Sequence, residues 1–80
     1  MNSWLAANDV YTRVWRENMV QFDSVPVETR AVDMAIDLCR AGVKAWVYDD
    51  SFELGKLRWP CYLVLVDRGE IERARKVVDG

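Results

Sequence analysis

Between Ser24 and Gly42, apolar Val27, Ala31, Met34, Ala35, Leu38 and Cys39 recur at spacings of three and four, the period of one helix face. Arg30, Asp33, Asp37 and Arg40 fall on the other side, so the segment predicts an amphipathic surface helix. Asp23 or Ser24 is placed to cap it, and Pro26 sits in the first turn, where a missing N–H does no harm. Gly42 supplies the left-handed C-terminal stop. Period two then takes over. Val43, Ala45 and Val47 alternate with Lys44, Trp46 and Tyr48, which predicts a strand ended by Asp49-Asp50-Ser51. Asp49 to Pro60, with Gly55, Pro60 and mixed charge, reads as a loop. Cys61 to Val66 is apolar at every position, as a central strand covered on both faces should be. Asp67-Arg68-Gly69-Glu70 has the spacing of a capping box and opens a last helix whose apolar stripe is Ile71, Ala74, Val77 and Val78.

Upstream, Met19 to Phe22 predicts a first strand ended by Asp23-Ser24. Residues 1–18 read two ways. Ala7, Val10, Tyr11, Val14 and Trp15 are spaced for a helix after a cap at Asn8, whereas their Val/Tyr/Thr/Trp composition suits a strand turning at Glu17-Asn18. The spacing favours the helix. From Met19 the order is strand, helix, strand, strand, helix, which predicts an α+β fold: a ferredoxin-like split βαβ core, β-α-β-β-α, over residues 19–80, with 1–18 as an N-terminal extension. Crossover handedness puts both helices on one face of a small antiparallel sheet.

That geometry leaves a second face carrying Trp46 and Tyr48. They are joined by either Tyr62, Val64 and Val66 or Cys61, Leu63 and Leu65. Either row is apolar, and a small domain does not normally leave such a face wet. The expected cover is the N-terminal segment, through Trp4, Leu5, Tyr11 and Trp15, or a second subunit. The expected contact surface therefore comprises Trp46, Tyr48, Tyr62, Val64, Trp15 and Tyr11, because aromatic side chains dominate protein interfaces.

Composition removes several kinds of function. At 80 residues the chain is one domain, and 51% hydrophobic content with four Trp is too apolar for a disordered segment. Eleven basic against thirteen acidic residues give a net charge of −2, which argues against nucleic acid and anionic membrane as partners. The absence of His removes Ser-His-Asp and Cys-His nucleophile pairs and HExxH zinc sites. Asp49, Asp50 and Glu53 are clustered but lack the spacing of a calcium loop, so they read as a solvated turn or an acidic contact loop. No copper motif, acylphosphatase loop or RNA-recognition sheet pattern is present. No catalytic residue, cofactor or metal is assigned. The longest apolar run, Cys61 to Val66, is too short to span a bilayer, and Cys39 and Cys61 read as buried, reduced thiols, so a cytoplasmic location is expected.

Phe22-Asp23-Ser24-Val25-Pro26-Val27-Glu28, the helix end Leu38-Cys39-Arg40-Ala41-Gly42-Val43-Lys44-Ala45, the acidic strand end Val47-Tyr48-Asp49-Asp50, Tyr62 to Val66, and Glu70 to Val78 follow one another in a familiar order. Over residues 19–79 this arrangement resembles the small bacterial domains described as prokaryotic signal-transducing proteins, in the GlnB-like, ferredoxin-type superfamily. Many members carry a glycine pair before the third strand, where this chain has Arg58-Trp59-Pro60. The resemblance implies a ferredoxin-like fold and no catalytic residues. The function expected is a non-enzymatic, cytosolic interaction or regulatory module, a homodimer with a protein partner. A small-molecule effector-sensing domain, or a small acidic phage or mobile-element protein that inhibits a host protein by binding it, are the alternatives.

Overall fold

Tyr62–Asp67, the most apolar stretch of the chain, becomes the centre of the fold. The computed structural model describes residues 10–80, and its elements run β1 (Met19–Val25), α1 (Glu28–Arg40), β2 (Ala45–Asp49), β3 (Phe52–Leu54), β4 (Leu57–Trp59), β5 (Tyr62–Asp67) and α2 (Ile71–Asp79), the last preceded by a 3-10 turn at Arg68–Glu70. In the main sheet β5 lies between β1 and β2 and is antiparallel to both, so β1 and β2 run parallel to each other with a strand between them. β3 and β4 form a second, two-stranded antiparallel sheet. The fold is α+β. Ala31, Ala35 and Leu38 of α1 and Ala74 of α2 join Ala45, Val47, Val64 and Val66 in one buried cluster, so both helices cover the same sheet face.

Strand pairing overrides the local helix signals at the start of α1. Ser24 opposes Leu63 and Val25 opposes Tyr62, so β1 continues through the expected caps. The helix begins at Glu28 behind Val27, which offers no side-chain cap, and Asp23 instead accepts from the N–H of Ser24 at 2.8 Å. The register of β1 slips between Gln21 and Asp23, leaving Phe22 as an extra residue. Such a bulge resets the alternation. Val20, Phe22 and Val25 can thereby all pack towards the helices despite their uneven spacing. The other end of α1 is as expected. Gly42 has φ +86°, its N–H bonds the carbonyl of Cys39 at 3.0 Å, and the N–H of Val43 reaches the carbonyl of Leu38 at 2.9 Å. Those two bonds make a Schellman motif.

At the start of the last helical segment, Asp67 caps the 3-10 turn by accepting from the N–H of Gly69 at 3.0 Å. That bond, and then the amide of Asn18, hold its carboxyl below the usual range. Glu70 does not complete the capping box. It pairs with Arg73 at 3.0 Å instead.

Two expected elements differ. Asn8, with Trp4, Leu5 and Ala7, lies outside the described residues; from Tyr11 to Asn18 the chain is neither helix nor hairpin strand. It makes one parallel bridge, Tyr11 to Val47, and turns at Glu17-Asn18. Its β-branched and aromatic residues are weak helix formers, and contacts described below fix it irregularly. The second difference is Asp49 to Pro60, which holds the β3–β4 hairpin rather than a loop. Among the described residues no helix is long and apolar enough to cross a membrane.

Candidate functional site

Alternation along β2 and β5 sorts the expected contact residues. Ala45 and Val47 face the helices, and Trp46 and Tyr48 project from the opposite face, packed on Met19, Leu63 and Leu65. Tyr62 and Val64 belong to the helix-side core, so neither is part of the second face. Because Val47 opposes Val64 and Ala45 opposes Val66, directly paired residues share a face, and Leu63 and Leu65 take the expected positions.

That second face is not bare. Val10 is buried in the helix-side core, and Thr12 donates its N–H to the carbonyl of Val47 at 2.9 Å, capping part of the outer edge of β2. The chain then passes across the second face to reach β1 at the far edge of the sheet. On the way, Trp15 meets Tyr48 edge-on with ring centroids 5.9 Å apart and donates its indole N–H to the carbonyl of Met19 at 2.9 Å. Tyr11 donates its phenol to Glu28 Oε2 at 2.6 Å. Burial first, then that hydrogen bond and the Glu28 charge, push the Tyr11 pKa well above its ordinary value. An open cleft of about 470 Å³ remains beside this segment, lined by Tyr11, Thr12, Arg13, Tyr48 and Asp49. Of the two expected covers, the chain's own N-terminal segment supplies one through Trp15, set against Tyr48 and Met19.

The bare surface lies further out. Asp49 opposes Tyr62 and Phe52 opposes Trp59, so the register runs unchanged from the β2–β5 pair into the β3–β4 pair. One ribbon has been interrupted, not two hairpins joined. The break falls at the Asp50–Cys61 pair, where the Asp50 N–H reaches the Cys61 carbonyl at 2.9 Å but the Cys61 N–H leaves the ladder. Ser51 bridges the gap, its Oγ accepting from the N–H of Cys61 at 2.9 Å. At the tip, Gly55 has φ +62° and Lys56 a negative φ, the pattern of a type II′ hairpin turn.

Constant register carries the two faces of the ribbon outward. Trp46, Tyr48 and Leu63 alternate into Phe52, Leu54, Leu57 and Trp59, and Glu53 and Arg58 take the other side, paired at 3.9 Å. Phe52 and Trp59 stack with centroids 5.1 Å apart and planes 15° from parallel. Beyond the cover, these side chains are wet: Phe52 57%, Leu54 68%, Leu57 61% and Trp59 42% exposed. At about 200 Å² for a large side chain, the four leave about 450 Å² of contiguous apolar surface bare. Gly55 and Pro60 mark the segment as a loop in the sequence and so mask this plate. The alternation Phe52-x-Leu54 and Leu57-x-Trp59 about a two-residue turn was the signal that could have found it.

The acidic residues do not form a site. The hydroxyl and N–H of Ser51 hold the Asp49 carboxyl below the usual range, with the N–H at 3.0 Å; Asp50 is exposed and Glu53 is turned to Arg58. Among the described residues no three Asp, Glu, Cys or His side chains converge as a metal site would require. Both cysteines are free thiols, but the expected burial fails for Cys39, which is exposed, and Cys61 is only half-buried. Cys39 lies one residue beyond Leu38, at the edge of the stripe formed by Ala31, Ala35 and Leu38, and a single step turns it about 100° away. A thiol reagent is therefore expected to modify one group per native chain rapidly, and Cys39→Ser should remove that fast phase. A fast phase surviving in Cys39→Ser would contradict the orientation of α1.

The chain matches no protein-family model, no curated protein and no solved structure.

Proposed function

We propose that this protein is a non-enzymatic, cytosolic interaction module that binds a polypeptide partner on the apolar face of the β3–β4 arm. The observation that carries this is the plate of Phe52, Leu54, Leu57 and Trp59, bare on an arm whose continuation into the sheet is covered. A contiguous patch of this size is within the range of the largest patch on a typical monomer, and such patches are often functional. Aromatic residues on a β-ribbon add area at low conformational cost, since each has only two side-chain torsions to fix. The contact surface is thus displaced outward from Trp46 and Tyr48 to the arm, with Trp15 serving as cover and Tyr11 turned instead to Glu28 at the start of α1. The strand order β1-β5-β2 and the placement of both helices on one face support a ferredoxin-like split βαβ core with the arm inserted before its third strand. That architecture agrees with the resemblance to the small GlnB-like signal-transducing domains, and regulation by protein contact is the role it implies.

Site-directed photo-crosslinking tests this. With a photo-reactive phenylalanine analogue at position 52 of the full chain, in the cells that naturally make it, irradiation should give a discrete adduct with another polypeptide. The same analogue at exposed Arg75, on α2, should not. No adduct from position 52, or the same adducts from both, would overturn the proposal.

A further inference from the structure

We propose that the partner seated on the arm is a second copy of this chain, with the two arms packed face to face and antiparallel about a two-fold axis; this rests on the interaction reading above. The plate is self-complementary about the level of the Glu53–Arg58 pair. Phe52 and Leu54 lie one residue either side of Glu53, and Leu57 and Trp59 one residue either side of Arg58. Turning a second plate end over end about that level sets each aliphatic pair, Leu54 with Leu57, on the other copy's stacked Phe52 and Trp59. An isologous contact of this kind closes at two copies.

Charge fixes the direction. Asp50 lies three residues before Glu53, at the base of the arm, and Lys56 three residues after it, at the tip. Neither has an ion-pair partner among the described residues. Antiparallel arms place each Lys56 at the level of the other copy's Asp50. Parallel arms would put Lys56 against Lys56 and Asp50 against Asp50, which is repulsive at both ends. Two plates bury at most about 900 Å² of apolar side chain together, below the roughly 1,200–2,000 Å² of a standard stable interface. The dimer is consequently reversible and dependent on concentration.

Sedimentation of the full chain over a concentration series should show the mass rising reversibly from one chain to two. Leu54→Glu, at a position 68% exposed and therefore harmless to the fold by circular dichroism, should leave a monomer throughout. Lys56→Glu and Asp50→Lys should each weaken association by about tenfold, since each makes two like-charge contacts per dimer, and the double variant should return to within about twofold of the parent. A dimer insensitive to Leu54→Glu, or a double variant no tighter than the singles, would overturn the proposed packing. A parent chain that stays monomeric while position 52 crosslinks to a different polypeptide would overturn the self-association and leave the interaction reading standing. A monomer with no crosslink would remove both.

Discussion

Leu38→Ala is expected to lower the unfolding free energy by about 2–5 kcal/mol, the range for truncating a fully buried leucine that its neighbours cannot replace. Leu38 is 0% exposed and is among the largest fully buried side chains. It stands on α1 where the helix crosses β2 and β5, between small residues that let the helix approach: Ala31 and Ala35 on its own stripe, Ala45 and Ala74 opposite. Alanines cannot swing into a void, so the cavity stays open and the loss falls in the upper part of the range. For a chain of this length total stability is on the order of 4–12 kcal/mol, so the variant loses a large share of it. Val27→Ala is the matched control. Val27 heads the same periodic series but is 44% exposed, and its truncation should cost less than about 1 kcal/mol. Urea denaturation followed by circular dichroism measures both. A Leu38→Ala loss below about 1 kcal/mol, or losses from the two positions that are equal, would mean that α1 does not bury this stripe.

What the sequence made legible was whatever depends on period and on local chemistry. The stripe of α1, the Gly42 stop, the alternation of β2 and the apolar centre β5 each need only neighbours a few residues away. What it concealed depends on partners far along the chain. Ser24 and Val25 look like a helix start, yet pairing with Leu63 and Tyr62 makes them strand. Pro60 looks like a loop marker, yet the hydroxyl of Ser51 accepts the neighbouring Cys61 N–H and the ribbon resumes in the same register. Both rows of β5 are apolar, so nothing local could say whether Leu63 or Val64 faced the helices. The bulge at Phe22 and the pairing to β2 settle that in three dimensions. The site suffered the same way: Trp46 and Tyr48 were placed on the second face by alternation alone, but whether that face was covered turned on where residues 10–18 run.

That cover is tested at the middle of the sheet, where Leu65→Ala should cost about 2–5 kcal/mol. Leu65 points away from both helices and is nevertheless 0% exposed, in one cluster with Met19, Leu63, Trp46 and Tyr48. On an open sheet face a leucine would keep part of its surface wet, and its truncation would cost nearer 1 kcal/mol, the worth of one or two methylene groups. Trp15→Ala removes the edge-on contact to Tyr48 and the 2.9 Å bond from the indole N–H to the carbonyl of Met19. It should cost about 1–3 kcal/mol. The two losses should not add. With Trp15 gone the cover lifts, Leu65 is already partly hydrated, and its further truncation costs less, giving a coupling of at least about 0.5 kcal/mol in a double-mutant cycle. Lifting the cover should also free the backbone around the already exposed Arg13 and Arg16, so trypsin cleavage there should accelerate in Trp15→Ala while the rest of the chain stays resistant. Additive losses with unchanged cleavage would show that residues 10–18 do not seal the face. The bare apolar surface would then run from Trp46 to the tip of the arm as one strip, and the contact area available to a partner would be correspondingly larger.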